Sequence, residues 1–257
     1  MIELLQFRHS PYNEKVRWAL DLKRVPHRRR TLLPGPHMGV VKKLTGQTAT
    51  PVLRLDDGSA LAGSARILEW LDAQYPEPRL IPADPAERAA AMDLQQRFDD
   101  DLTPRIRRTV LDALLRRPRD FAAVFAEAVP PIQRAFYALI VPLAAPLVRK
   151  GNGIAGPAAV ADGLAAADQA FELVATQAAA TGYLVGGRFG VADITAACTL
   201  ATLVRPSDSP MQSPAGLGGE TAALIARFRD HPGADWVRGI YARHRLAKAD
   251  FEGVAPY

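Results

Sequence analysis

Ser10-Pro11-Tyr12-Asn13 gathers a hydroxyl, a proline, a phenol and an amide into four residues. The segment lies between an apolar run, Ile2–Phe7, and an amphipathic run, Asn13–Lys23, in which Val16, Ala19 and Leu20 share a face. Its spacing is that of C-x-x-C, with Ser and Asn in place of both cysteines, so dithiol exchange is excluded. What remains is a hydroxyl where a strand hands over to a helix. Backbone N–H groups and the helix dipole favour negative charge there, and a hydroxyl donates a hydrogen bond to a bound thiolate. Serine is also a preferred N-cap and proline a preferred first helical residue, so on this segment alone a plain cap is the commoner meaning.

Three other segments join it. Thr50-Pro51 opens a strand, where proline cannot donate to the ladder; a cis peptide that turns the Thr50 backbone toward a ligand is one reading and a trans-proline strand start the other. Gly63-Ser64 precedes the amphipathic run Ser64–Tyr75, and Ser64 is either its cap or a seat for a carboxylate. Gly190-Val-Ala-Asp193 precedes an apolar helix, with Asp193 placed to reach back to the cap backbone; this is a folding signal. Cys198, the single cysteine, lies among apolar residues and reads as a buried, inert thiol. The five histidines have no metal spacing, and no metal is expected. Arg107-Arg108 reads as a solvated helix face rather than a contact for an acidic substrate, and Arg28-Arg29-Arg30 as a charged strand edge.

The elements that must hold these residues follow from periodicity. Strands are expected at Ile2–Phe7 and His27–Leu33, and a hairpin across Asp57-Gly58; helices at Asn13–Lys23, Val40–Leu44 and Ser64–Tyr75 complete a β-α-β-α-β-β-α unit. Residues 76–85 hold four prolines and form a linker. Everything beyond reads as helix: Ala86–Arg117 with a bend at Pro104, Phe121–Val129, Ile132–Lys150, Ala158–Thr181, Val191–Val204, Glu220–Asp230 and Ala234–Arg245. Arg205–Gly219 reads as a long loop. The expected division is 1–76, a linker 77–85, and an all-α part 86–257.

The 257 residues carry a net charge of +5 and are 48 % hydrophobic, enough for a sizeable core. That charge is too mild, and too dispersed, for a nucleic-acid partner. A lone cysteine fits a reducing compartment, and no basic n-region with an apolar h-region opens the sequence. The longest apolar stretch, 135–148, is too short to span a bilayer and holds Pro142 and Pro146. A cytoplasmic protein with no membrane partner is expected.

Taken in order, Ser10-Pro-Tyr-Asn-Glu-Lys-Val-Arg17, Thr50-Pro51-Val-Leu53, Gly63-Ser64-Ala-Arg-Ile-Leu68 and Phe189-Gly-Val-Ala-Asp-Ile194 resemble the cytosolic glutathione transferase superfamily. The resemblance implies a thioredoxin-like N-terminal domain that binds glutathione, an all-α domain that carries the electrophile pocket, and a homodimer. It places Ser10 at the glutathione sulfur, as in serine-type members, because Phe7 has no hydroxyl to offer. Tyr12 and Asn13 stand beside Ser10, Thr50 before cis-Pro51 would pair with the cysteinyl backbone, and Ser64 would seat the γ-glutamyl carboxylate. His37 and Gln47 would lie near the glycyl end. The implied reaction is attack of the thiolate on a small apolar electrophile; glutathione-dependent isomerisation and a non-catalytic scaffold are the alternatives. At pH 7 a thiol of pKa about 8.5 is only about 3 % ionised, and lowering it by about two units needs roughly 2.7 kcal/mol. Two departures stand out: Gly63 replaces an acidic residue that would pair with the γ-glutamyl amine, and Gly190 replaces the usual Ser or Thr cap. The segment 118–157 is long enough to reshape the electrophile pocket.

Overall fold

A computed structural model describes residues 1–127, 129–211, 217–245 and 251–255. Its five strands form one sheet in the order β4-β3-β1-β2-β5. Strand β1 (Ile2–Gln6) is buried along its whole length because it is central. It runs parallel to β2 (His27–Thr31) and antiparallel to β3 (Val52–Arg54), which turns back into β4 (Ala60–Ala62). The turn is closed by the Asp57 carboxylate, which accepts from the Ser59 N–H at 2.9 Å and hydroxyl at 2.6 Å. Helix α1 (Pro11–Leu22) connects β1 to β2, α2 (His37–Thr45) connects β2 to β3, and α3 (Ser64–Gln74) follows β4.

The linker is fixed in place by Asp72 of α3. Its carboxylate accepts from the Leu80 N–H at 2.8 Å and from Lys23 Nζ at 2.8 Å, and the same ammonium donates to the carbonyls of Tyr75 and Pro78. The Glu77–Pro78 bond is cis. Asp84 then caps α4 (Pro85–Arg97) by accepting from two N–H groups of its first turn. The expected bend falls just before Pro104: residues Phe98–Leu102 form a widened π-helical turn between α4 and α5 (Thr103–Leu115). Pro104 has no N–H to give the carbonyl four residues back, so the regular ladder is interrupted there. Helices α6 (Pro118–Phe125), α7 (Pro131–Gly151), α8 (Pro157–Gln177), α9 (Val191–Val204), α10 (Gly219–Arg227) and α11 (Pro232–His244) complete the helical part. Of the expected loop 205–219, positions 212–216 lie outside the described residues.

One continuous core runs from Ile2, Leu4, Val16 and Leu68 into Phe98, Phe171, Ile194 and Val237, so the sheet half and the helical half share their apolar interior. Between them lies a buried ionic cluster. Glu14 and Asp21 of α1 each accept from Arg245, which follows α11, at 2.8 Å; Arg17 donates to Glu14 at 2.7 Å and Arg29 to Asp21 at 2.5 Å. Burial opposes the charge on Arg245, but the two carboxylates outweigh it and raise its pKa.

Three expectations need correction. Arg28-Arg29-Arg30 is solvated only at Arg28 and Arg30, and its strand is not the edge of the sheet. Strand β5 (Gly253–Val254) pairs antiparallel with β2 and takes that position, and Arg29 is 1 % exposed in its ion pair. A two-residue strand at the far end of the chain has no periodicity to announce it. Pro142 and Pro146 do not interrupt the apolar stretch: α7 runs through both for 21 residues. By length and composition it could cross a membrane, yet it lies on the surface with 6 % of its apolar window buried. Among its exposed positions only Gln133 and Lys150 are polar. Finally, Ser64 does not cap α3. Gly63 is the cap residue, at φ +92°, a conformation L side chains rarely adopt. The glycine in place of an acid therefore has a backbone reason.

Candidate functional site

A cavity of about 240 Å³ lies where the two halves meet. The sheet half presents Phe7, His9, Ser10, Tyr12 and Thr50 to it. Ser10 sits at the N-cap position of α1 in extended backbone, but its hydroxyl makes no cap bond. The helix start is closed instead by the Ser10 carbonyl, which accepts from the N–H groups of Asn13 and Glu14 at 3.1 and 2.9 Å. Ser10 itself lines the cavity. Thr50–Pro51 is cis, and Thr50 lines the same space.

Tyr12 is fixed by the π-helical turn. Its hydroxyl donates to the Asp99 carbonyl at 2.7 Å, and Lys15 Nζ bonds the Asp99 carboxylate at 2.5 and 2.7 Å. Burial pushes the Tyr12 phenol well above its ordinary range, so it stays protonated.

The other expected residues stand back from the cavity lining. Asn13 is fully buried and donates from Nδ2 to the Thr50 hydroxyl at 3.1 Å. Gln47 folds onto its own loop, donating to the Ala49 carbonyl at 2.9 Å while accepting from the Ala49 N–H, which braces the residue before Thr50. His37 accepts from the Gly35 N–H at 3.0 Å and meets the Phe7 ring edge-on at 4.7 Å. Ser64 is 6 % exposed at the first turn of α3. Asp193 accepts from the N–H groups of Gly190 and Leu184, each at 2.9 Å, closing the start of α9 as a folding element. A side chain at Gly190 would come within 2.9 Å of the Leu80 carbonyl, so glycine there lets the linker close against α9. Cys198 is fully buried near the Tyr241 hydroxyl, and burial pushes its thiol up, as an inert core thiol requires.

The helical half supplies a mostly apolar wall with two cations in it. Ile106, Val110 and Leu114 of α5 face Phe121 and Phe125 of α6, so the segment 118–157 forms part of the cavity. Tyr137 of α7 donates to the Pro34 carbonyl at 3.2 Å and ties this wall to the sheet half. Arg107 lines the cavity, contrary to its expected solvated position; Arg108 does face outward, to Asp162 at 3.4 Å. Arg205 was not singled out from the sequence. It ends α9 at φ +51°, uncommon for a side-chain-bearing residue and worth on the order of 1 kcal/mol or more in strain. Nε of Arg107, and Nε and one Nη of Arg205, are buried without a partner among the described residues. Burial pulls the Arg205 guanidinium down to about 10. Unpartnered buried N–H groups of a cation are costly, and an anion in the cavity would satisfy them. The available signal was a charged residue directly after an otherwise apolar helix.

The comparisons agree with this architecture. A model of the glutathione S-transferase N-terminal domain matches residues 4–79, and a model of the C-terminal domain of the same family matches residues 157–219. A maleylpyruvate isomerase from Ralstonia sp is 33 % identical over 121 residues, 44 % of this chain and 54 % of that protein. A maleylacetoacetate isomerase from Pseudomonas aeruginosa is 34 % identical over 71 residues, 28 % of this chain and 34 % of that one. The matches thus span about a third to a half of these relatives' length. Among solved structures, a glutathione S-transferase from Rhodospirillum rubrum F11 superposes with a TM-score of 0.64 at 22 % identity, over 100 % of this chain and 94 % of that one. One from Methylobacillus flagellatus KT with GSH bound gives 0.62 at 20 % identity, over 98 % and 100 %. With both halves matched in order by models of one family, and together over more than half its length, the chain belongs to the glutathione S-transferase superfamily.

Proposed function

We propose that the cavity binds reduced glutathione with its sulfur at Ser10 and directs the thiolate onto a small electrophile held against α5 and α6. The observation that carries this reading is Ser10: it stands at a helix start, its hydroxyl spends no bond on capping, and the residue lines the cavity. A hydroxyl donor and the helix dipole are the groups that lower a thiol pKa. Thr50 beside cis-Pro51 would meet the cysteinyl backbone, with Tyr12 and Asn13 fixing the two walls. Ser64, His37 and Gln47 would serve the ends of the tripeptide. In this reading residues 1–76 form the glutathione domain, 77–85 the linker and 86–257 the electrophile domain, in a cytoplasmic homodimer that uses no metal.

A second reading, glutathione-dependent isomerisation, is favoured by Arg107 and Arg205. Their unpartnered N–H groups suit a carboxylate-bearing electrophile better than a wholly apolar one. Thiolate addition to a carbon conjugated with a carbonyl sends the π electrons to the carbonyl oxygen. The former double bond rotates, and return of the electrons expels the thiolate unchanged. The isomerase names of two relatives accord with this.

Calorimetric titration with reduced glutathione at neutral pH tests the common step. Saturable binding below about millimolar is expected, and Ser10→Ala should keep most of it while raising the pKa of the bound thiol. No heat, with no change in melting temperature, would leave a scaffold that has lost its ligand. An unchanged thiol pKa in Ser10→Ala would return the serine to a structural position.

A further inference from the structure

His9 precedes Ser10 and lines the same cavity. Its Nε2 lies 3.0 Å from a carboxylate oxygen of Glu127, a residue 118 positions away on the turn after α6. An ionised carboxylate only accepts, so Nε2 carries the proton and Nδ1 keeps the lone pair. Burial holds the His9 imidazole below its ordinary range despite the bond to Glu127. The bond from His9, in turn, holds the Glu127 carboxyl below its own. At neutral pH the resting pair is a neutral imidazole oriented by a carboxylate, the arrangement that presents an imidazole as a base.

Burial and the charged surroundings together set when that imidazole takes a proton. Arg8 lies beside the pair, with a guanidinium nitrogen 3.6 Å from Glu127. Arg17 of α1 and Arg205 after α9 also act on His9, and Arg134 of α7 acts on Glu127. Burial is what chiefly opposes a positive charge on the ring; the arginines add to it, and Glu127 offsets only part of the total. A new negative charge in the cavity would tip the balance.

We propose that His9, oriented by Glu127, takes up the proton that the glutathione thiol loses at Ser10. This rests on the glutathione reading above. The S–H bond breaks and sulfur keeps the electron pair. The proton passes to Nδ1 of His9, leaving an imidazolium between the thiolate and Glu127. Ser10 donates to the thiolate and receives nothing. After thiolate addition His9 returns the proton to the carbanion of a conjugate; in an isomerisation it returns it to the thiolate at release. Ser10 stabilises the charge and His9 holds the proton, so the two neighbouring residues divide one ionisation.

The test is a proton balance. Reduced glutathione is titrated calorimetrically into the whole protein at pH 7, in buffers of different ionisation enthalpy. Thiolate is followed in parallel by its ultraviolet absorbance. A thiol of pKa about 8.5 is almost wholly protonated at pH 7, so ionisation without an internal acceptor releases close to one proton. The wild type should form thiolate and release close to none. His9→Asn should either lose the thiolate signal or keep it and release about one proton. Glu127→Gln, close to isosteric, should lower the thiolate signal because an amide no longer fixes the tautomer. Thiolate with a full proton released from the wild type, or bound thiol without thiolate, overturns the assignment, as does an unchanged balance in His9→Asn. Absence of any binding overturns the glutathione reading and this one with it; binding with the wrong balance overturns this one alone.

Discussion

The side-chain amide of Asn13 donates to the Thr50 hydroxyl across 3.1 Å, so the helix start that carries Ser10 is bolted to the turn that carries cis-Pro51. Asn13 is fully buried and does not reach the cavity lining, so it sets the spacing of two walls without touching what lies between them. Asn13→Ala should cost about 1–2 kcal/mol in chemical denaturation, the ordinary value of one buried hydrogen bond and its desolvated partner. It should also weaken glutathione binding severalfold by calorimetry. Loss of stability with unaltered affinity would show that the bond serves the fold alone.

On the two proposed readings, Arg205 would separate a carboxylate-bearing electrophile from a neutral one. Arg205→Met keeps an unbranched apolar stem and removes the guanidinium and its charge. It should lower kcat/KM with maleylpyruvate by about 10- to 100-fold, the range expected for about 1.4–2.7 kcal/mol of a charge-assisted bond. With a neutral aryl halide the effect should stay within about threefold. Equal losses on both substrates would place Arg205 in the glutathione half of the site, or in the fold.

Asp193 gives a pH signature of folding. Burial pushes its carboxyl up to about 6, with the N–H groups of Leu184 and Gly190 pulling the other way. An unfolded aspartate titrates near 3.9. The folded state therefore binds this proton more tightly. The contribution is present in full below about pH 4 and is lost as pH rises through about 6, amounting to at most about 3 kcal/mol. Asp112 and Glu127, whose carboxyls are held low, run in the opposite sense, so the reading must be a difference. The stability gap between wild type and Asp193→Asn should shrink from pH 4 to pH 7 in urea titrations. A gap that widens would mean that the two N–H bonds outweigh burial.

The elements around the site are legible because each announces itself locally. Ser10-Pro11 marks a helix start, Asp57-Gly58 a turn, and Gly190 with Asp193 a capped helix whose bounds, Val191–Val204, agree with the periodicity. Ser10 and Thr50 reach the cavity for the same reason: both lie at junctions between elements. Arg107, Arg205 and Glu127 do not declare themselves, because their place depends on how helices pack. Arg107 and Arg108 are adjacent and chemically alike, yet one faces the cavity and the other Asp162; only the rotation of α5 against α8 decides between them. The pairing of β5 with β2 is likewise decided by a distant contact.

The Arg245 clamp on Glu14 and Asp21 has a consequence for the order of events during synthesis. The two carboxylates leave the ribosome on α1, and their shared cation arrives 231 residues after Glu14. At roughly 5–20 residues per second, helix α1 waits on the order of ten to fifty seconds for its partner. Until then each carboxylate has one guanidinium partner, Arg17 for Glu14 and Arg29 for Asp21, and Arg245 bridges the two pairs when it arrives. The sheet likewise takes its outer strand β5 from far downstream, so α1 and β2 each gain a partner from residues made long after them.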